Sequence, residues 1–177
     1  TTTSSTIIDQ SAYGHSVTVN GAVHSQGKTI FGNTAIYFDG TNDYLEIPDS
    51  ADWDQTQDFS WEAWVSHTDY SGSEDYFFQG NTGANNNYTH FWQEASGIRV
   101  NNQDASGYTF NTGFAPKINN SNWHHVVVAR NGNCYSIWVD GKLGVMTIDS
   151  DTPQTYSQTG LRIGGGGYGG NYFQGYM

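Results

Sequence analysis

The sequence predicts an all-β fold, two antiparallel sheets packed as a sandwich, and three observations carry that prediction. Aromatic residues make up 15% of the 177 residues and charged residues only 13%. Leu, Ala, Glu and Lys, which would lengthen helices, are scarce, while the aromatic content suits strands. Short β-type runs recur at close spacing between clusters of Gly, Asn, Asp and Ser, and no stretch sustains a helical period.

The length suits one domain with a core large enough to stand without disulfide or metal staples. The opening TTTSST reads as a linker or a cut from a longer polypeptide, so residues 1–6 are assigned as lead and 7–177 as a single domain. Strands are expected at 35–38, 44–47, 59–67, 76–79, 89–94, 98–101, 108–111, 123–130, 135–139 and 161–163. In FSWEAWV, Phe59, Trp61, Ala63 and Val65 share one face, and Ser60, Glu62 and Trp64 the other. WHHVVVARNGNCYSIWVDG reads as a hairpin turning at Asn131-Gly132, with a second turn at Asp140-Gly141. The Gly-rich run at 164–170 reads as a flexible loop.

Seventeen acidic against six basic residues give a net charge of −11, which repels phosphate backbones and excludes nucleic acid and anionic membrane as natural partners. Cys134 stands alone, which rules out an internal disulfide or a cysteine metal cluster. No apolar run approaches the ~20 residues of a membrane-spanning helix.

Four segments, AIYFDGTNDYLEIPDS at 35–50, DFSWEAWV at 58–65, NWHHVVVARNGNCYSIWVDGKL at 122–143 and LRIGGGGYGGNYFQGYM at 161–177, together resemble laminin G-like domains of the concanavalin A-like lectin and glucanase superfamily. The resemblance implies a jelly roll of two antiparallel sheets with binding loops at the rim. The segments at 37–54 and 58–65 are similar in style to laminin G-like modules of bacteriophage virion proteins. That likeness implies a non-catalytic capsid-decoration, tail or fibre component at a virion or extracellular surface, with other surface proteins, a homo-oligomer or host glycan as partners. The alternative is a calcium-dependent, lectin-type module of a secreted or cell-surface protein. The family continues past a segment like FQGYM with a last edge strand, which implies an open sheet edge at Met177.

Glucanases on this fold set two or three carboxylates at alternating positions of one strand. Glu46, Glu62, Glu74 and Glu94 are the only glutamates here, none forms such a run, and no enzyme is expected. The six histidines lack zinc spacing, no phosphate loop or nucleophile elbow is present, and His125 is expected to pack inward with Trp123 and Val127.

Eight of the 17 acids fall within the 24 positions from Asp39 to Glu62. Such oxygen density suits calcium, and equally suits Asx and Asp-Gly turns. The resemblance implies a structural calcium held by Asp9 and the Asp39-Gly40 turn; no cofactor is required. For a glycan, the expected stacking platform is a set of loop aromatics, Tyr70, Tyr88, Trp92, Tyr108, Tyr168 and Tyr172.

Overall fold

A computed structural model describes residues 5–80, 87–104, 107–150, 160–165, 167 and 170–177, with the side chains of residues 108 and 109 set aside. The chain forms strands β1 (Thr18–Asn20), β2 (Val23–Ser25), β3 (Ala35–Asp39), β4 (Tyr44–Ile47), β5 (Phe59–His67), β6 (Glu74–Gly80) and β7 (Tyr88–Glu94). It continues through β8 (Gly97–Asp104), β9 (Gly107–Asn111), β10 (His124–Asn131), β11 (Cys134–Val139), β12 (Lys142–Ile148), β13 (Leu161–Ile163) and β14 (Gln174–Tyr176). A 3₁₀ turn at Ala51–Trp53, capped by the Ser50 hydroxyl, interrupts the β4–β5 connection.

The strands make two seven-stranded antiparallel sheets, ordered β1-β4-β13-β6-β7-β8-β9 and β12-β11-β10-β5-β14-β3-β2. The expected all-β sandwich is therefore observed. Between the sheets lies an aromatic-rich core that includes Phe38, Tyr76, Phe91, Phe110, Tyr135 and Phe173, all buried. In β5 the alternation holds: Val65 is fully buried and Phe59, Trp61 and Ala63 pack against the core, while Glu62 and Trp64 face outward.

Both predicted hairpins form, the first turning one residue later than expected, at Gly132-Asn133. Asn131 pairs with Cys134 across a two-residue connection in which Gly132 has φ 56°. Val139 pairs with Lys142, and both Asp140 (φ 52°) and Gly141 (φ 71°) adopt the left-handed conformation that a tight hairpin requires. The Asp140 carboxylate accepts from His124 Nδ1 (2.8 Å) and the His125 amide (3.0 Å), so the second turn is tied back to the start of β10.

Three expectations change. His125 is not a core residue: it pairs across β10–β5 with Trp64 on the outer face, where the rings stack at 5.0 Å and its Nε2 lies 3.2 Å from Glu62. The glycine run is packed, at least where it is described. Gly164, Gly165 and Gly167 are buried, and side chains added there would meet Phe38, Tyr172 and Phe78 respectively.

The C-terminal segment is not a sheet edge. β14 lies between β5 and β3, Ile36 and Met177 exchange backbone hydrogen bonds at 2.8 and 2.9 Å, and the edges of this sheet are β12 and β2. β14 is short, however, and meets β5 only at Ser66 and His67. A groove of about 300 Å³ beside it is walled by Ala35 of β3, Ala63 and Trp64 of β5, Trp123 and Met177.

Candidate functional site

The first sheet is unusual in being buried on both faces along β6 and β7. Its inner face carries Tyr76, Phe77, Phe91, Ile98 and Val100 into the core. A register shift between Asp75 and Phe77 turns both Tyr76 and Phe77 inward and leaves Asp75 and Phe78 outside. Cross-strand pairing then fixes the outer face: Asp75 opposite Trp92, Phe78 opposite His90, Gly80 opposite Tyr88, and on β8 Arg99, Asn101 and Gln103 beside Trp92, His90 and Tyr88.

These side chains form a continuous stack. His90 lies flat on Trp92, with centroids 3.9 Å apart and planes 9° apart, and Phe78 touches both His90 and Tyr88. The Arg99 guanidinium sits between Trp92 (4.7 Å) and Phe114 (5.2 Å) with Glu94 Oε1 at 3.5 Å. His90 Nε2 donates to Asp75 Oδ1. Burial pushes the Asp75 carboxyl above its usual range, opposed by the charge and hydrogen bond of His90 and, more weakly, by the Gly167 amide and the Asn171 side chain. Burying such a pair outside the apolar core carries a desolvation cost of several kcal/mol per ion.

The same face becomes accessible toward β13 and β4. Arg162, opposite Phe78, lies 4.8 Å over the Tyr44 ring and directs Nε (3.2 Å) and Nη2 (3.1 Å) to Glu46 Oε1. Tyr172 lies beside Tyr44, with ring centroids 6.5 Å apart. The outer face thus runs from a half-buried patch of Tyr44, Tyr172, Arg162 and Glu46 to the buried layer of Asp75, His90 and Trp92.

The aromatics expected on loops divide as follows. Tyr88 and Trp92 lie on strand β7, 5% and 7% exposed, so they are neither loop residues nor open platforms. Tyr108 is on β9 opposite Gln103 of β8, which itself lies opposite Tyr88 of β7. Tyr172 is in the connection before β14, and Tyr70 is exposed in the β5–β6 connection, away from the others in the register. Tyr168 falls outside the described residues. The structure therefore sets Tyr88 and Trp92 on β7 and Tyr108 on β9, with β8 between them, and it adds Tyr44, Asp75, His90, Arg99 and Arg162, which sequence reasoning missed.

The expected calcium ligands are committed to turns. Asp9 accepts from the Ser11 amide and hydroxyl (2.8 Å each) and from the His15 amide (2.7 Å), contacts that hold its carboxyl below the usual range. Asp39 Oδ1 accepts from the Thr41 amide at 2.8 Å, with Gly40 left-handed at φ 81°. Among the described residues no three His, Cys, Asp or Glu side chains draw together around a metal position. No helix among them is long and apolar enough to cross a membrane.

Comparison with known proteins places this architecture. Domain 4 of AbnA, an extracellular arabinanase from Geobacillus stearothermophilus determined with arabinotriose, superposes with a TM-score of 0.70 at 16% identity, over 92% of this chain and 78% of that one. The CBM40 of Ruminococcus gnavus IT-sialidase, bound to α2,3-sialyllactose, gives 0.57 at 12% identity over 68% and 72%. The binding domain of botulinum neurotoxin DC, in complex with rat synaptotagmin II, gives 0.69 at 14% identity over 89% of this chain but only 40% of that one. At these identities the likeness is one of fold. A comparison with curated proteins returns no match. Residues 39–177 match the laminin G family model of the concanavalin A-like lectin/glucanases superfamily, and the chain belongs to that family.

Proposed function

We propose that the domain is a non-catalytic binding module that engages a glycan through the outer face of the first sheet, at the patch of Tyr44, Tyr172, Arg162 and Glu46. The observation that carries the reading is the composition of that face: aromatic rings beside a charged pair, on a sheet surface turned away from the core. Rings supply apolar faces for stacking against a sugar, and a fixed guanidinium and carboxylate supply hydrogen-bond donors and acceptors. Two of the structural neighbours were determined with oligosaccharides bound, which supports the same class of ligand.

A binding role is also favoured over hydrolysis by the placement of the glutamates. Glu46 faces Arg162, Glu62 faces His125, Glu74 faces His67 and Glu94 faces Arg99, each beside its own cationic or histidine partner. A glycosidase needs two carboxyls flanking one bond.

The finer reading places the module on a virion surface, in assembly or host adhesion, and rests on the likeness of the segments at 37–54 and 58–65 to phage virion modules. Contacts with other surface proteins or with a second copy are favoured by the apolar rim of β11–β12, where Trp138, Leu143, Met146 and Ile148 are exposed. Cofractionation with particles and light scattering test these two contacts.

Glycan-array screening followed by calorimetry tests the glycan reading. Tyr44→Ala is expected to weaken binding about five- to thirtyfold, given about 1–2 kcal/mol for a stacked aromatic contact. Silence across the array at high protein concentration, or binding indifferent to Tyr44→Ala and Tyr172→Ala, overturns it. Binding abolished by a chelator would support a structural calcium at Asp9 and the Asp39-Gly40 turn.

A further inference from the structure

A second concavity, distinct from the outer face, opens between the two sheets. It has a volume of about 530 Å³ and is walled by Leu45 and Ile47 of β4, Leu161 and Ile163 of β13, Ile36 of β3, and Val17. These branched aliphatic side chains come from both sheets, so the cavity is an extension of the sandwich interior toward solvent. The segment from Ile7 to His15 and the 3₁₀ turn carrying Asp52 and Trp53 form its mouth.

The polar groups of the mouth are occupied with one another. Asp9 holds the Ser11 and His15 amides, Asp52 lies 2.9 Å from His15 Nε2 and 3.0 Å from the Ser50 hydroxyl, and Trp53 Nε1 donates to the Pro48 carbonyl at 3.0 Å. Tyr13, His15 and Trp53 make a run of rings, with His15 5.9 Å from Tyr13 and 4.9 Å from Trp53. The mouth is thus braced by its own hydrogen bonds, and the carboxylates and indole N–H it contains are already matched. What remains for a ligand is aliphatic wall inside and aromatic surface at the entrance.

We propose that this cavity binds a small molecule with a hydrocarbon body, its apolar end inserted between the sheets and any polar end left at the mouth beside Tyr13. The volume lies within the range of roughly 300–1,000 Å³ that small-molecule sites occupy. A ligand carrying a polar group at its buried end is rejected, because no unmatched donor or acceptor awaits it among the wall residues. The site shares no residue with the Tyr44–Tyr172 patch, so the two readings stand or fall separately.

The test titrates the intact chain with the fluorescent apolar diarylamine N-phenyl-1-naphthylamine, then competes the probe with decanol. Saturable enhancement that decanol reverses is expected. Ile163→Phe, which fills the cavity, is expected to weaken the probe about tenfold or more while Tm holds or rises. Tyr44→Ala is expected to leave the probe unaffected. As a second readout, independent of how well Ile163→Phe folds, bromodecanol is expected to quench the emission that Trp53→Phe removes. No saturable binding up to the solubility of the probe, or equal binding to the filled variant, or no quenching of Trp53, overturns the proposal.

Discussion

Glu74 and Asp75 are consecutive, yet they serve opposite faces of β6. Glu74 points into the core, where His67 Nδ1 donates to it at 2.6 Å and His67 Nε2 meets the Tyr76 hydroxyl at 3.0 Å; Asp75 points out to His90. Burial pushes the Glu74 carboxyl above its ordinary value, opposed by His67, and drives the Tyr76 hydroxyl well above its own. Because the folded value of Glu74 is the higher one, the folded state binds more protons between the unfolded and folded values, and this contribution to stability falls as pH rises through that window. Urea midpoints measured from pH 4 to 7 are expected to show this loss in the wild type and a flatter profile in Glu74→Gln. Identical profiles would mean that the carboxyl titrates normally. The two acid–histidine pairs were not legible in the sequence: His67 and His90 lie seven and fifteen residues from their partners, and only β-pairing and the irregularity between Asp75 and Phe77 bring them together.

At the scale of the element, legibility followed local chemistry. Phe59–His67 and Tyr44–Ile47 were predicted with their observed bounds because alternation and flanking turn residues agree there, and the two hairpin turns were marked by residues that tolerate positive φ. β1, β2 and β14 have three residues each, as β13 has, but lack its alternating aliphatic pair Leu161 and Ile163, and they exist because neighbouring strands complete them. β12 was missed for another reason. Gly144 and a bulge opposite Ile137–Trp138 break its alternation and send Leu143 and Met146 outward, with Val145 inward. The glycine run shows the reverse error, since flexibility was inferred where close packing is the cause. Gly164 combines φ 83° with a position directly against the Phe38 ring, so Gly164→Ala meets both a conformational and a steric penalty. A loss of about 2–5 kcal/mol is expected in chemical denaturation. A change within experimental error would show that Phe38 and the turn can move aside.

For the molecule as a whole, the sandwich was legible and the site largely was not. Tyr88, His90 and Trp92 alternate with Thr89, Phe91 and Gln93, and both sets are buried, so periodicity could not say which face meets the core. Aromatic character drew attention to Tyr88 and Trp92, but it could not place them beside Asp75 and Arg99 without the strand order. The second sheet carries a consequence of another kind. Amides alternate sides along an antiparallel strand, and the Thr68 N–H reaches Gln174, so those of Ser66, Trp64 and Glu62 turn the same way. β14 pairs with β5 at Ser66 and His67, while Ala63 and Val65 turn to β10, which pairs with β5 along its length. Native-state hydrogen exchange is therefore expected to be slow at Ala63 and Val65, held by β10, and equally at Ser66 and Thr68, held by β14. Rapid exchange at Ser66 and Thr68 beside slow exchange at Ala63 and Val65 would contradict it. One central strand then fastens two ladders by turns, and local opening of the second sheet starts at its edges, β12 and β2, before it reaches β5.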